Sequence, residues 1–169
     1  MEDGFKLEQV AIRLVPEAAV WDAEPIRSPE RAVEVIGKYI RDMDREAVCV
    51  VNFNARLQPI NFQIVSIGTL DRALCEPREL LKAGILSNAS SVVILHNHPA
   101  GSIAPSGCDI QMTERMEKVC ELVGIPLMDS IIVGFGREDY FSFRDASMLV
   151  EQNQQIDRAA EERSGRAGR

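Results

Sequence analysis

The chain has no surplus of cationic charge, no hydrophobic run near membrane length, no paired-cysteine motif and almost no histidine. Lysine and arginine number 19 against 26 aspartates and glutamates, a net charge of -7. Neutralising the phosphates of a nucleic acid takes a concentrated basic face, so this balance argues against nucleic acid as a default partner. The longest apolar stretches fall far short of the ~20 residues that span a bilayer. Met1-Glu2-Asp3-Gly4 lacks the layout of a secretory leader. The expectation is therefore a cytoplasmic protein with no membrane partner. Cys49, Cys75, Cys108 and Cys120 form no C-x-x-C pair and no zinc-knuckle spacing. Cys49 and Cys120 fall in apolar periodic segments and are expected in the core. No internal repeat is present.

What remains is 169 residues, 46% of them hydrophobic, enough for one globular domain with a real core. Residues 1–27 read as an extension with a strand or two over 8–15, and residues beyond about 156 as a fraying polar tail. In domain terms this gives 1–27 as an extension, 28–150 as the folded domain and 151–169 as the tail. Ser28-Pro29-Glu30 opens a helix, with serine as cap, proline at the first position and an acid near the positive end. Ala32, Val33, Ile36, Tyr39, Ile40 and Met43 follow at helical spacing and carry that helix to about Met43. A valine-rich strand over 46–53, a turn at 54–58 and a returning strand over 59–67 make a hairpin. A second helix runs from Glu76 to about Asn88, and Ser91-Val92-Val93-Ile94-Leu95 is a buried strand. Ser106 then caps a helix reaching Gly124, two further strands cover 126–133 and 140–143, and a final helix starts after Asp145. Strands interleaved with helices give an α/β sheet domain.

The only two histidines stand one residue apart in His96-Asn97-His98, at the end of that buried strand. Side chains at i and i+2 of a strand leave on one face, so both imidazoles can converge on one ion. Ser106-Gly107-Cys108-Asp109 supplies a carboxylate at the start of the following helix, and the whole constellation reads H-x-H-x7-S-x2-D. Ser106-x-x-Asp109 taken alone is a capping box. Helical spacing nevertheless puts Asp109 on the side of Thr113 and Met116, facing inward, where a carboxylate needs a partner. Two imidazoles and one carboxylate suit zinc with a fourth position left for water, the layout of a catalytic site. A thiol nucleophile at Cys108 would need one of the same histidines as its base.

Such a water still needs a base. Glu46 is the candidate, because it shares a strand face with Val48, Val50 and Asn52 and breaks their apolar pattern. Asp44, Glu34, Glu76 and Glu79 compete with it on spacing alone. Other metal hydrolases fit worse: barrel amidohydrolases need further histidines and typically ~250 residues, and zinc deaminases need H-x-E with P-C-x-x-C.

Leu95-His96-Asn97-His98-Pro99-Ala100-Gly101 with Pro105-Ser106-x-x-Asp109, preceded by Asp44-Arg45-Glu46, Gly68-Thr69-Leu70 and Pro77-Arg78-Glu79, resembles the RadC-type branch of the JAMM (MPN) metalloprotease superfamily. The resemblance covers about residues 28–134. It implies the MPN (cytidine-deaminase-like) α/β fold, a mixed β-sheet flanked by helices, and zinc held by His96, His98 and Asp109. Glu46 would be the catalytic acid/base and Ser106 a donor beside the tetrahedral intermediate. The implied chemistry is hydrolysis of peptide or isopeptide bonds, with a ubiquitin-like tail, a peptide or a small amide as open substrates. A non-catalytic MPN scaffold and a DNA-repair-associated interaction domain are the rival readings. Three departures stand out. The chain has no room for the helix-hairpin-helix region that precedes this domain in longer members. Asp129-Ser130 stands where the branch usually reads Asp-His, and Ala100 where serine is usual.

Overall fold

A computed structural model describes residues 7, 9–17, 19, 20, 22, 24–68, 75–136 and 139–149. They form a three-layer α/β domain: α1 (Pro29–Val35), a one-turn 3-10 helix (Gly37–Tyr39), β1 (Ala47–Phe53), β2 (Pro59–Ile67), α2 (Pro77–Leu86), β3 (Ser91–His98), α3 (Gly107–Val123), β4 (Leu127–Gly134) and β5 (Tyr140–Ser142). The sheet order is β2-β1-β3-β4-β5. Only β3 and β4 run parallel, joined by the crossover through α3, so the sheet is mixed.

Strand alternation sorts the core into two layers. Ala47, Cys49, Val51, Phe53, Val93, Leu95, Ile131 and Val133 pack with α1, while Val48, Val50, Val92, Ile94 and Ile132 pack with Leu80 and Leu81 of α2 and Met116 and Cys120 of α3. Every residue of β1 is buried, which explains its unbroken apolar run. Cys49 and Cys120 lie in this core as expected, and burial pushes the Cys49 thiol up to about 12.

Three sequence expectations need correction. The first helix stops at Val35 and not near Met43. The chain continues as a 3-10 turn that lies close on β4, where a Cβ on Gly37 would sit 3.3 Å from Val33 and 3.5 Å from Val133. No strand forms over 9–15, where Val10, Ile12, Leu14 and Val15 are exposed; Glu8 lies outside the described residues. Alternating apolar residues make a strand only where a neighbour supplies the ladder. The histidines end their strand as expected, with pairing to β4 continuing to His98 opposite Gly134. Residues 143–147 form turns, Met148 and Leu149 are not helical, and the expected final helix beyond 149 lies outside the described residues. Among the described residues no helix is long and apolar enough to cross a membrane.

Between the histidines, Asn97 points to the opposite face and is fully buried. Its Oδ1 accepts from the Ala47 amide at 2.7 Å, and its Nδ2 donates to the carbonyls of Met43 at 3.3 Å and Arg45 at 3.2 Å. One side chain thus fixes the segment entering β1 to the end of β3. Asn97→Leu is expected to lower unfolding free energy by at least about 2 kcal/mol, since a buried amide and two carbonyls lose their partners. A urea midpoint unchanged from wild type would contradict this.

Candidate metal centre

The end of β3 and the start of α3 bring three donors together. His96 and His98 leave β3 on the α2/α3 face, two residues apart. After His98 the chain reverses, with the Gly101 amide donating to the His98 carbonyl at 2.9 Å and Gly101 at φ 81, a conformation suited to glycine. This reversal sets the Ser102 carbonyl 2.7 Å from His98 Nδ1. Nδ1 therefore carries the proton and the Nε2 lone pair is directed inward.

Ser106 and Asp109 close a complete capping box: Asp109 N–H donates to Ser106 Oγ at 3.2 Å, and Ser106 N–H donates to Asp109 Oδ2 at 2.7 Å. The cap does not exhaust the carboxylate. Asp109 Oδ1 lies 3.1 Å from His96 Nε2 and Oδ2 lies 3.4 Å from His98 Nε2. The two Nε2 atoms are 3.2 Å apart. A tetrahedral zinc with ligand bonds of about 2.0–2.1 Å would place its donors about 3.3 Å from one another. The two Nε2 atoms are spaced as two corners of such a tetrahedron, each carboxylate oxygen lies beside one imidazole, and with one ligand atom from each residue within 4.8 Å of the others these residues could hold a metal ion. Side-chain exposures of 4% for His96, 12% for His98 and 14% for Asp109 leave one side open to solvent.

The electrostatics follow from the same contacts. Burial pushes the Asp109 carboxyl up, but the hydrogen bonds of His96 and His98 outweigh it and hold the group well below the usual carboxylate range. His98 is raised, chiefly by Asp109, against partial burial and with help from the Ser102 carbonyl and the charge of Glu46.

Glu46 is the residue before β1, not its first member, and its carbonyl accepts from the Gly68 amide at 2.8 Å. Val48 stands opposite His96 in the β1–β3 ladder, so extending the register by two places Glu46 opposite His98. The competing acids are committed elsewhere: Asp44 to Arg45, Glu34 to Arg31, Glu76 to Arg115 and Glu79 to Lys82. Cys108 is exposed. Ser130 is fully buried in β4 and accepts from the Thr113 hydroxyl at 3.1 Å, while His96 Nδ1 is buried without a partner among the described residues.

Asn97 was missed by sequence reasoning, although an amide on the face of Val93 and Leu95 breaks an apolar pattern and signals a buried polar contact.

The model for the RadC-like JAB domain matches residues 26–148. Similar proteins include three carrying the name UPF0758 protein, which states no activity. The one from Streptococcus sanguinis (strain SK36) is 30% identical over 138 residues, covering 82% of this chain and 60% of that protein. That from Streptococcus gordonii is 33% identical over 136 residues, 80% and 59% of the two chains. The Chlorobaculum parvum protein is 37% identical over 124 residues, 73% and 55%. The chain spans about three-fifths of the length of the curated relatives it matches.

Ser106→Ala is expected to cost about 1 kcal/mol of stability by opening the cap, with Ser106→Thr retaining most of it. Equal thermal midpoints for wild type and Ser106→Ala would show that the capping box carries no energy here.

Proposed function

The chain belongs to the RadC-like JAB domain family, and from that premise we propose that it is a zinc-dependent hydrolase acting on peptide or isopeptide bonds. The convergence of His96, His98 and Asp109, with one ligand atom from each within 4.8 Å of the others, carries the reading. His96 Nε2, His98 Nε2 and a carboxylate oxygen of Asp109 would hold the ion. When bound, zinc supplies Lewis acidity toward a carbonyl oxygen and lowers the pKa of a water to about 7.

The chain's own groups do the rest. Glu46, opposite His98, takes the proton of the attacking water and returns it to the departing amine. Ser106 Oγ accepts from the Asp109 amide as the cap, and its own hydroxyl hydrogen is left to donate to the oxygen on which charge develops. Ser102, through His98 Nδ1, fixes that imidazole's orientation. The 99–105 loop borders the site and is the natural determinant of which acyl group enters. The substrate is a peptide or an isopeptide-linked protein, with ubiquitin-like tails among the candidates.

Calorimetric titration of chelator-treated protein is expected to show about one zinc per chain, lost in His98→Ala. Against a panel of peptide and isopeptide conjugates, Glu46→Gln should keep the zinc and lower kcat by about 10²–10⁴-fold. Wild-type turnover in Glu46→Gln would remove the base assignment, and sub-stoichiometric zinc with unaltered folding would favour a scaffold.

A further inference from the structure

On the sheet face turned away from the histidines, a cavity of about 370 Å³ lies between the start of α1, the turn after β1 and the first residues of β3 and β4. That volume falls within the ~300–1,000 Å³ of small-molecule sites. The separation from the metal centre is structural: the sheet lies between them, and Ser91 is five residues from His96 along β3, about 16 Å at ~3.3 Å per residue.

The walls are apolar, formed by Ile26, Ala32, Phe53, Val93 and Ile131. Of the six polar lining residues three are arginines, two serines and one an aspartate, a cationic balance in a chain of net charge -7. Arg27 and Arg56 line the cavity, are exposed, and make no ion pair among the described residues. Arg144 also lines it but is shared, its Nε lying 3.7 Å from Asp145. The single acid of the lining, Asp129, is already engaged, accepting from Ser142 Oγ at 2.6 Å and from the Arg144 amide at 3.0 Å.

Ser91 supplies the second observation. Its Oγ is buried and has no hydrogen-bond partner among the described residues. Such a hydroxyl is destabilising unless something is there to accept from it. Ser91 stands opposite Phe53 in the β1–β3 ladder, and Phe53 directly precedes the turn that carries Arg56. The unmatched hydroxyl and the unmatched guanidinium therefore belong to one end of the cavity.

We propose that this cavity binds a small amphipathic carboxylate, with its apolar body against Phe53, Val93 and Ile131 and its carboxylate taken by Arg27, Arg56 and the Ser91 hydroxyl. Charge complementarity selects this occupant: two guanidiniums with no ion pair among the described residues, together with an O–H donor, recognise an acceptor-only anion, and the apolar walls favour one with a hydrocarbon body. The proposal is independent of zinc chemistry.

Octanoate, below its micellar concentration, is the probe, with 1-octanol and inorganic phosphate as the uncharged and body-less controls, titrated calorimetrically into the full chain. Expected are one octanoate per chain and at least about ten-fold weaker binding of either control. The Arg27→Gln/Arg56→Gln variant should weaken octanoate about ten-fold. Ser91→Ala should weaken it about five-fold while raising the melting temperature of the ligand-free protein, a pair of opposite effects that a purely structural role would not give. His98→Ala should bind octanoate as wild type does. No octanoate binding, octanol or phosphate binding as tightly, or unchanged affinity in the double variant, with circular dichroism confirming that each variant is folded, would overturn the proposal.

Discussion

Asn97 uses its side-chain oxygen for the Ala47 amide and its nitrogen for the carbonyls of Met43 and Arg45, so the central strand is tied directly to the segment that delivers Glu46. The tie works because a strand alternates: the residues on either side of Asn97 leave on the other face, and those are the two imidazoles. One tripeptide thus orients two donors toward α3 and, from its back, secures the neighbouring chain. The contact is wholly buried, where a satisfied amide is rigid and an unsatisfied one costly. Placement of the carboxylate at position 46 relative to the histidines depends on it more than on any apolar contact.

Local patterns were legible in the sequence where local chemistry decides them. The alternation of His96 and His98, the capping box at Ser106 and Asp109, the hairpin of β1 and β2 and the proline-led starts of α1 and α2 each follow from a few neighbouring residues. Non-local contacts were not. The turn after α1 brings Gly37 close to Val133, nearly a hundred residues further along and invisible to helical periodicity. Residues 9–15 have a strand's alternation without a strand's neighbour. The placement of Glu46 rests on the register of β1 against β3, which no spacing within residues 44–54 encodes. The cavity beside Ser91 escaped notice for the same reason, since its wall residues come from four separate elements.

The two layers of the core divide the labour of the sheet. The α2/α3 side ends in the imidazoles and the helix-borne carboxylate, and the α1 side carries the Asn97 clasp and the arginine-lined cavity. β1 and β3, buried on both faces, separate these regions with a rigid wall, so substitutions on one side need not propagate to the other.

Asp109 closes the first turn of α3 with the same carboxylate that faces the imidazoles. Helix ends are the parts of a helix that open most readily, while a central strand opens only with the whole domain. Each excursion of that turn would disperse the triad from its helical side and leave the histidine pair standing. The lifetime of any occupant would then be governed by the breathing of one helical turn, and amide exchange at Asp109 would serve as its clock.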